Sequence, residues 1–482
     1  MPKIYVLIRT DLAHRFQYRV RMNASWKVET PLVARYNKAG PRYTSYPTAV
    51  DFSTEFTTSD FARALKASND GDWSVYVHIP FCESPCFYCG CNKQITRDHN
   101  KSKPYLSALY KEIDSVAAML VPKRRLSQIH FGGGTPTFLT DPQLGEILSR
   151  LRHWFDIDQS HDREFSIEID PRTVSIDRLE ELHRMGFNRI SLGIQDVDVH
   201  VQEAVNRIQS TEQSLSLITR AHKLGITGVS VDLIYGLPLQ TLRSFKVTID
   251  TIIAARPDRI SLYSYAHMPT KFKPQRQILS QDLPTPEVKL SLLAQAITQL
   301  TEAGYIYIGM DHFALASDSI VTAQRAGKLQ RNFQGYSTHA GLNLLGFGVS
   351  AISRVGDVYA QNAKVVAIYE HMIDRFGMAI ERGIRVTTDD HIRRHVIEAI
   401  LCQGALNYRE IEQRDAIAFE TYFAAELDAL KPLVADGLVQ WQDRGFSLTP
   451  MGRLLMRNVA MCFDARLGKH QTAAGTRFSQ SV

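Results

Sequence analysis

From about residue 73 the chain repeats one unit, a short β-rich run followed by a longer segment with apolar residues at helical spacing, and few folds accept that repetition. The β-rich runs are VYVHIP (75–80), QIHFGGG (128–134), EFSIEID (164–170), RISLGI (189–194), VSVDLIYG (229–236) and RISLYSY (259–265). Between them Leu144, Ile147, Leu148 and Leu151, or Ile176, Leu179 and Leu182, fall on one helical face, and Gly186 and Gly304 stand where helix C-caps are expected. Six or more β-α units predict an α/β fold: a parallel sheet with helical crossovers, rolled into a complete or partial (β/α) barrel. Chemistry then belongs at the C-terminal strand ends. There Gly132 to Thr135, Glu168, Asp170, Gln195, Asp196, Asp232 and Tyr265 are expected to ring a site. Turn requirements alone account for most of these glycines and some of the aspartates. They do not account for Glu168, embedded in the alternating SIEID.

After about residue 375 the pattern changes to HIRRHVIEAILC, FAAELDALKPLVADGLVQW and GFSLTPMGRLLMRNVAMCF. These predict a mainly helical, winged-helix-like C-terminal domain (375–482), read as a lid or docking module. The expected division is a basic leader (1–30), an N-terminal substrate-site segment (31–72), the barrel with its extension (73–374) and this domain. Lys plus Arg exceed Asp plus Glu by 56 to 50, and residues 1–30 hold six basic and two acidic side chains, leaving only +2 for the rest. A body so balanced argues against nucleic acid as a partner. No run approaches the length of a membrane span, and the apolar stretch in MPKIYVLIR is cut by Arg9, so a cytoplasmic protein is expected, as a monomer.

Four of the six cysteines lie within ten residues, in VYVHIPFCESPCFYCGCNK: Cys82-x3-Cys86-x2-Cys89-x-Cys91. In a reducing compartment such a cluster is free to hold metal rather than form disulfides. Three thiolates on a four-iron cluster would leave one iron open for a ligand. The competing reading is a structural zinc closed by all four, although zinc sites usually draw pairs of ligands from two separate knuckles. Cys402 and Cys462 read as small buried hydrophobes. His78 and His130 read as satisfied core or supporting histidines, and His267 and Met268 as site neighbours without a task.

With PRYTSYPT (41–48), HIPFC (78–82), FGGGTPT (131–137), SIEIDPR (166–172), GIQD (193–196), VNR (205–207), DLIYGLP (232–238), YAHMPT (265–270), RNFQGYST (331–338) and GVSAIS (348–353), the chain resembles the radical S-adenosylmethionine enzymes. Within them it is similar to the oxygen-independent coproporphyrinogen III oxidases, from about residue 30 to the end. The resemblance implies that Cys82, Cys86 and Cys89 ligate a [4Fe–4S] cluster whose open iron takes S-adenosylmethionine, giving a 5′-deoxyadenosyl radical that attacks substrate propionates. It also implies two S-adenosylmethionine molecules. Tyr76, Gly133, Glu168 and Ile352 would contact the cluster-bound one, with Glu168 facing its ammonium. Tyr88, Gly134, Thr135, Gln195, Arg207, Asp232 and Ala266 would contact the second. Tyr88 stands where phenylalanine is expected, and a ring is kept. Neither Arg207 nor Asp232 is expected to touch an iron ligand. Arg42 is a candidate partner for a substrate carboxylate, with an ordinary surface arginine as the alternative.

The implied reaction converts two propionates of coproporphyrinogen III to vinyls, giving protoporphyrinogen IX in haem biosynthesis, with an unidentified low-potential electron donor and a terminal acceptor. Alternatives are a haem chaperone or another tetrapyrrole-acting relative, and a zinc-stabilised winged-helix binding protein. PRYTSYPT and the fourth cysteine favour the oxidase. Residues 1–21 carry five basic groups and one acidic one and lie outside the resemblance, so translation is expected to begin at Met22; the alternative is an organelle transit segment, against which the absence of Ser before Met22 speaks.

Overall fold

The computed structural model describes residues 30–68, 71–470 and 478. The leader and Met22 lie outside them. Six parallel strands follow the expected runs: β1 (Trp73–Ile79), β2 (Arg125–Gly133), β3 (Glu164–Ile169), β4 (Arg189–Gln195), β5 (Gly228–Tyr235) and β6 (Arg259–Ser264). They lie side by side in chain order, and a seventh parallel strand, β7 (Asn343–Phe347), pairs with the free edge of β1. Beyond β6 and β7 the sheet continues through antiparallel strands, and its two edges do not join among the described residues. The barrel is therefore partial.

The crossover helices form where their apolar faces and caps coincide. Helix Asp141–Trp154 buries Leu144, Ile147, Leu148 and Leu151 and starts at a Thr140–Gln143 capping box. Helix Ile176–Arg184 buries Leu179 and Leu182 and is capped by Ser175. Gly186 and Gly304 directly follow the C-cap residues Met185 and Ala303. Helices cover the outer face of the sheet; β1 and β2 are buried at most residues, whereas β3 and β4 alternate buried with half-buried ones. In β1 every residue except Tyr76 is buried. That exception points at the site.

The C-terminal part joins helices Thr388–Gln403, Tyr408–Asp415 and Ala424–Ala435 to a three-stranded antiparallel sheet of Ala405–Asn407, Val439–Gln442 and Gly445–Leu448. Its last turns clamp the segment carrying PRYTSYPT. Arg457 Nε donates to the Pro41 carbonyl at 3.1 Å, Tyr43 Oη to Asp464 Oδ2 at 2.9 Å, and the Ala465 N–H to Tyr46 Oη at 3.1 Å. Arg42 is thereby delivered to the barrel.

Candidate active site

The cysteine loop leaves β1 through Pro80 and is tied back on itself. Thr96 N–H donates to the Cys82 carbonyl at 2.9 Å, Phe87 N–H to the Val205 carbonyl at 2.9 Å, and His78 Nε2 bonds the Asn92 carbonyl oxygen at 2.9 Å. The sulfurs of Cys82, Cys86 and Cys89 each receive a different donor: Thr135 Oγ1 at 3.4 Å, Arg207 Nη1 at 3.3 Å and the Cys91 N–H at 3.4 Å. Such bonds stabilise negative sulfur. The hydrogen bond from the Cys91 thiol, opposed by burial and helped by Lys93, brings the Cys89 thiol down to about 5, whereas burial pushes Cys82 up to about 11. Among the described residues no three Cys, His, Asp or Glu side chains are gathered tightly enough to hold a single metal ion.

The barrel interior above this loop is polar at one level, fixed by register: Tyr76 opposite His130, Glu168 opposite Ser191, Gly193 opposite Asp232, and Asp232 opposite Ser261. Tyr76 stacks on His130 with centroids 5.8 Å apart, and His130 Nε2 lies 3.2 Å from Glu168 Oε1. The Gly133 N–H donates to Glu168 Oε2 at 3.2 Å. Burial raises the Glu168 carboxyl, but the His130 ring and the Gly133 amide outweigh it and hold it below the usual range. Although it lies inside the barrel, 42% of its side chain remains accessible. An ionised carboxylate thus faces open space. Ile352 joins this group through Gly346, which pairs with Tyr76 and whose Cβ would come 2.5 Å from the Ile352 carbonyl oxygen.

Gly133 has φ +111°, and a Cβ there would sit 2.6 Å from the His78 ring. Gly133→Ala is expected to destabilise the protein by about 1–3 kcal/mol through backbone strain and to push His78 off Asn92. Thermal unfolding and iron retention after reconstitution check it. An unchanged melting temperature with full iron would contradict it.

The second group gathers one strand further on. A Cβ on Gly193 would meet Gln195 Nε2 and Arg207 Nη2, both at 2.9 Å. Tyr88 is half-buried beside Arg207 and Cys86, and Gln275 Nε2 links the Tyr88 and Ala266 carbonyls at 3.0 and 3.2 Å. Gly134 and Thr135 donate their N–H groups to the Ile79 and Phe81 carbonyls, both at 2.8 Å. Burial, then the charge of Glu168, pushes the Asp232 carboxyl up to about 6.

Two expectations need correction. Arg207 does touch an expected iron ligand, Cys86, and is locked by Asp170 Oδ2 at 3.1 Å and the Gly193 carbonyl at 2.6 Å. It reaches that position because Asn206, in the left-handed region, ends the short helix Val199–Ala204 and turns the chain toward the loop. Its Nε is buried without a partner. Asp196 does not ring the site: it is buried, taking bonds from Thr248 Oγ1 at 2.7 Å and Gln240 Nε2 at 2.6 Å, and it organises the loops outside.

Arg42 lies away from the cysteine loop, 3.3 Å from Asp311 Oδ2 and 5.9 Å over the Tyr263 ring. Sequence reasoning gave no role to Arg172, although it stands in SIEIDPR. Its guanidinium grips Asp170 at 2.7 Å and comes 3.7 Å from Cys86 Sγ, completing an Asp170–Arg172–Arg207 network under the loop.

The pattern of the Radical SAM superfamily matches residues 76–252, and that of the HemN C-terminal domain matches residues 386–455. Oxygen-independent coproporphyrinogen III oxidases are similar along nearly the full chain. Those of Salmonella typhimurium and Escherichia coli are 47% identical, covering 94% of this chain and 98% of theirs, and that of Pseudomonas aeruginosa is 46% identical, covering 91% and 96%. The solved structure of coproporphyrinogen III oxidase (HemN) from Escherichia coli, a radical SAM enzyme, superposes with a TM-score of 0.88 at 45% identity over 92% of this chain and 100% of that one. On this similarity, and on a partial barrel whose first loop presents three hydrogen-bonded cysteines below an ionised interior glutamate, the chain belongs to the oxygen-independent coproporphyrinogen III oxidase family of radical S-adenosylmethionine enzymes.

Proposed function

We propose that this protein carries out the oxygen-independent oxidative decarboxylation of two propionates of coproporphyrinogen III, giving the two vinyls of protoporphyrinogen IX in haem biosynthesis. Each propionate loses one hydrogen atom, one electron and CO2. The observation that carries the reading is the pairing of a three-cysteine loop with Glu168, a carboxylate inside the barrel that faces open space. The donor set fits the family's cofactors: three thiols with separate donors suit a [4Fe–4S] cluster with one open iron, and an ionised carboxylate suits an ammonium. When bound, the cluster and S-adenosylmethionine supply a low-potential electron and the group that abstracts hydrogen.

The chain's own residues do the rest. Cys82, Cys86 and Cys89 hold the cluster, while Tyr76, Gly133, Glu168 and Ile352 line the place of the first S-adenosylmethionine. Tyr88, Gly134, Thr135, Gln195, Arg207, Asp232 and Ala266 line the place of a second. Arg42 offers a guanidinium for a substrate carboxylate. The same reading includes the four-part domain division given above, a monomeric cytoplasmic protein and an unidentified electron donor and acceptor. Among the described residues no helix is long and apolar enough to cross a membrane.

Anaerobic reconstitution with iron and sulfide, followed by reductant, S-adenosylmethionine and coproporphyrinogen III, is expected to yield protoporphyrinogen IX with two CO2 per molecule. Cofactor cleavage without consumption of the tetrapyrrole would defeat the reading.

A further inference from the structure

Lys289 lies in the first turn of helix Pro286–Glu302, and its stem packs over Gly236 at the C-terminal end of β5, the end at which the site opens. Its ammonium donates to the Tyr265 carbonyl at 3.0 Å and stands 5.8 Å over the Tyr235 ring. No carboxylate among the described residues pairs with it. Arg42 is its charged neighbour, and their repulsion adds to burial in bringing the Lys289 amine down to about 8. The one acid at hand, Asp311, is already engaged by Arg42. Lys289, Arg42 and Arg457 therefore share a partly buried, tyrosine-walled corner around Asp311, and buried cations in excess of their counter-ions cost free energy until an anion arrives. The corner adjoins the site itself: Tyr263 touches the fields of both Arg42 and Asp232, and Tyr265 directly precedes Ala266.

We propose that Lys289, acting with Arg42, binds one propionate carboxylate of the tetrapyrrole and so positions the substrate beside the reacting centre. The proposal rests on the functional reading above. A lysine ammonium and an arginine fork on either side of one carboxylate give it a point charge and a planar pair of donors. The neighbouring tyrosine rings offer flat apolar walls to a pyrrole.

The test compares wild type, Lys289→Met and Lys289→Arg as reconstituted proteins, with coproporphyrinogen III as substrate and its tetramethyl ester as competing ligand. Lys289→Met is expected to raise KM roughly ten- to a hundredfold, the loss of one charge-assisted bond, with a much smaller change in kcat and with iron content unaltered. Lys289→Arg is expected to restore most of the affinity, and the ester to bind wild type and Lys289→Met alike. An unchanged KM, equal weakening of acid and ester, or loss of iron from both variants would overturn the assignment. Failure of the wild type to consume coproporphyrinogen III would count against the reaction, not against Lys289.

Discussion

Cys82→Ser, Cys86→Ser and Cys89→Ser are each expected to leave the reconstituted protein colourless and nearly free of iron, while Cys91→Ser keeps the brown colour. A cluster left with two protein thiolates is not expected to persist. The three sulfurs differ from the fourth in their surroundings. Cys82 and Cys86 each accept a bond from a group fixed elsewhere in the fold, and Cys89 accepts one from the backbone N–H of Cys91. Serine at position 91 retains that N–H and offers a hydroxyl in place of the thiol. Iron and sulfide analysis checks the set, and equal loss in all four variants would show that the choice of ligands is wrong.

Glu168→Gln is expected to keep the cluster and weaken S-adenosylmethionine binding by about 2–5 kcal/mol, roughly thirty- to several thousandfold, the range for losing one member of a buried charge pair. Glutamine preserves the volume and can still accept from the Gly133 N–H, so the backbone of FGGGTPT has no reason to move. What disappears is the negative charge that His130 and Gly133 maintain against burial. The affinity of the reconstituted protein for S-adenosylmethionine, with iron content as the control, decides it. Unaltered affinity would remove Glu168 from the site. Arg207→Ala is a poorer probe than the sequence suggests: it strips a donor from Cys86 and leaves Asp170 with Arg172 as its remaining guanidinium partner. Asp232→Asn touches none of these groups and is the cleaner test of the second cofactor position.

The parallel strands were legible because Val, Ile and Leu alternate with polar or small residues along them, one face under the helices and the other lining the interior, and the crossovers because their apolar faces recur at helical spacing. The seventh strand, NLLGF, was not. It is five residues long and lies outside the β-α alternation, and what fixes it is its pairing with β1, a contact across some 270 positions. The polar interior was legible only where a residue broke a pattern, as Glu168 does in SIEID. Arg207 was named but its anchorage was not, because the Asp170 and Cys86 contacts that hold it join segments 37 and 121 residues away. Lys289 gave no signal at all. A lysine in the first turn of a helix reads as a solvated charge, and only the folded chain sets it over Tyr235 with Arg42 as its charged neighbour.

The open iron is tested most directly by electron paramagnetic resonance of the reduced, reconstituted protein before and after addition of S-adenosylmethionine. A cluster held by Cys82, Cys86 and Cys89 with one iron free is expected to change its spectrum when the cofactor binds that iron, and to do so equally in Cys91→Ser. A spectrum indifferent to S-adenosylmethionine in the wild type, becoming responsive only in Cys91→Ser, would show that all four cysteines close the cluster and would contradict the site described.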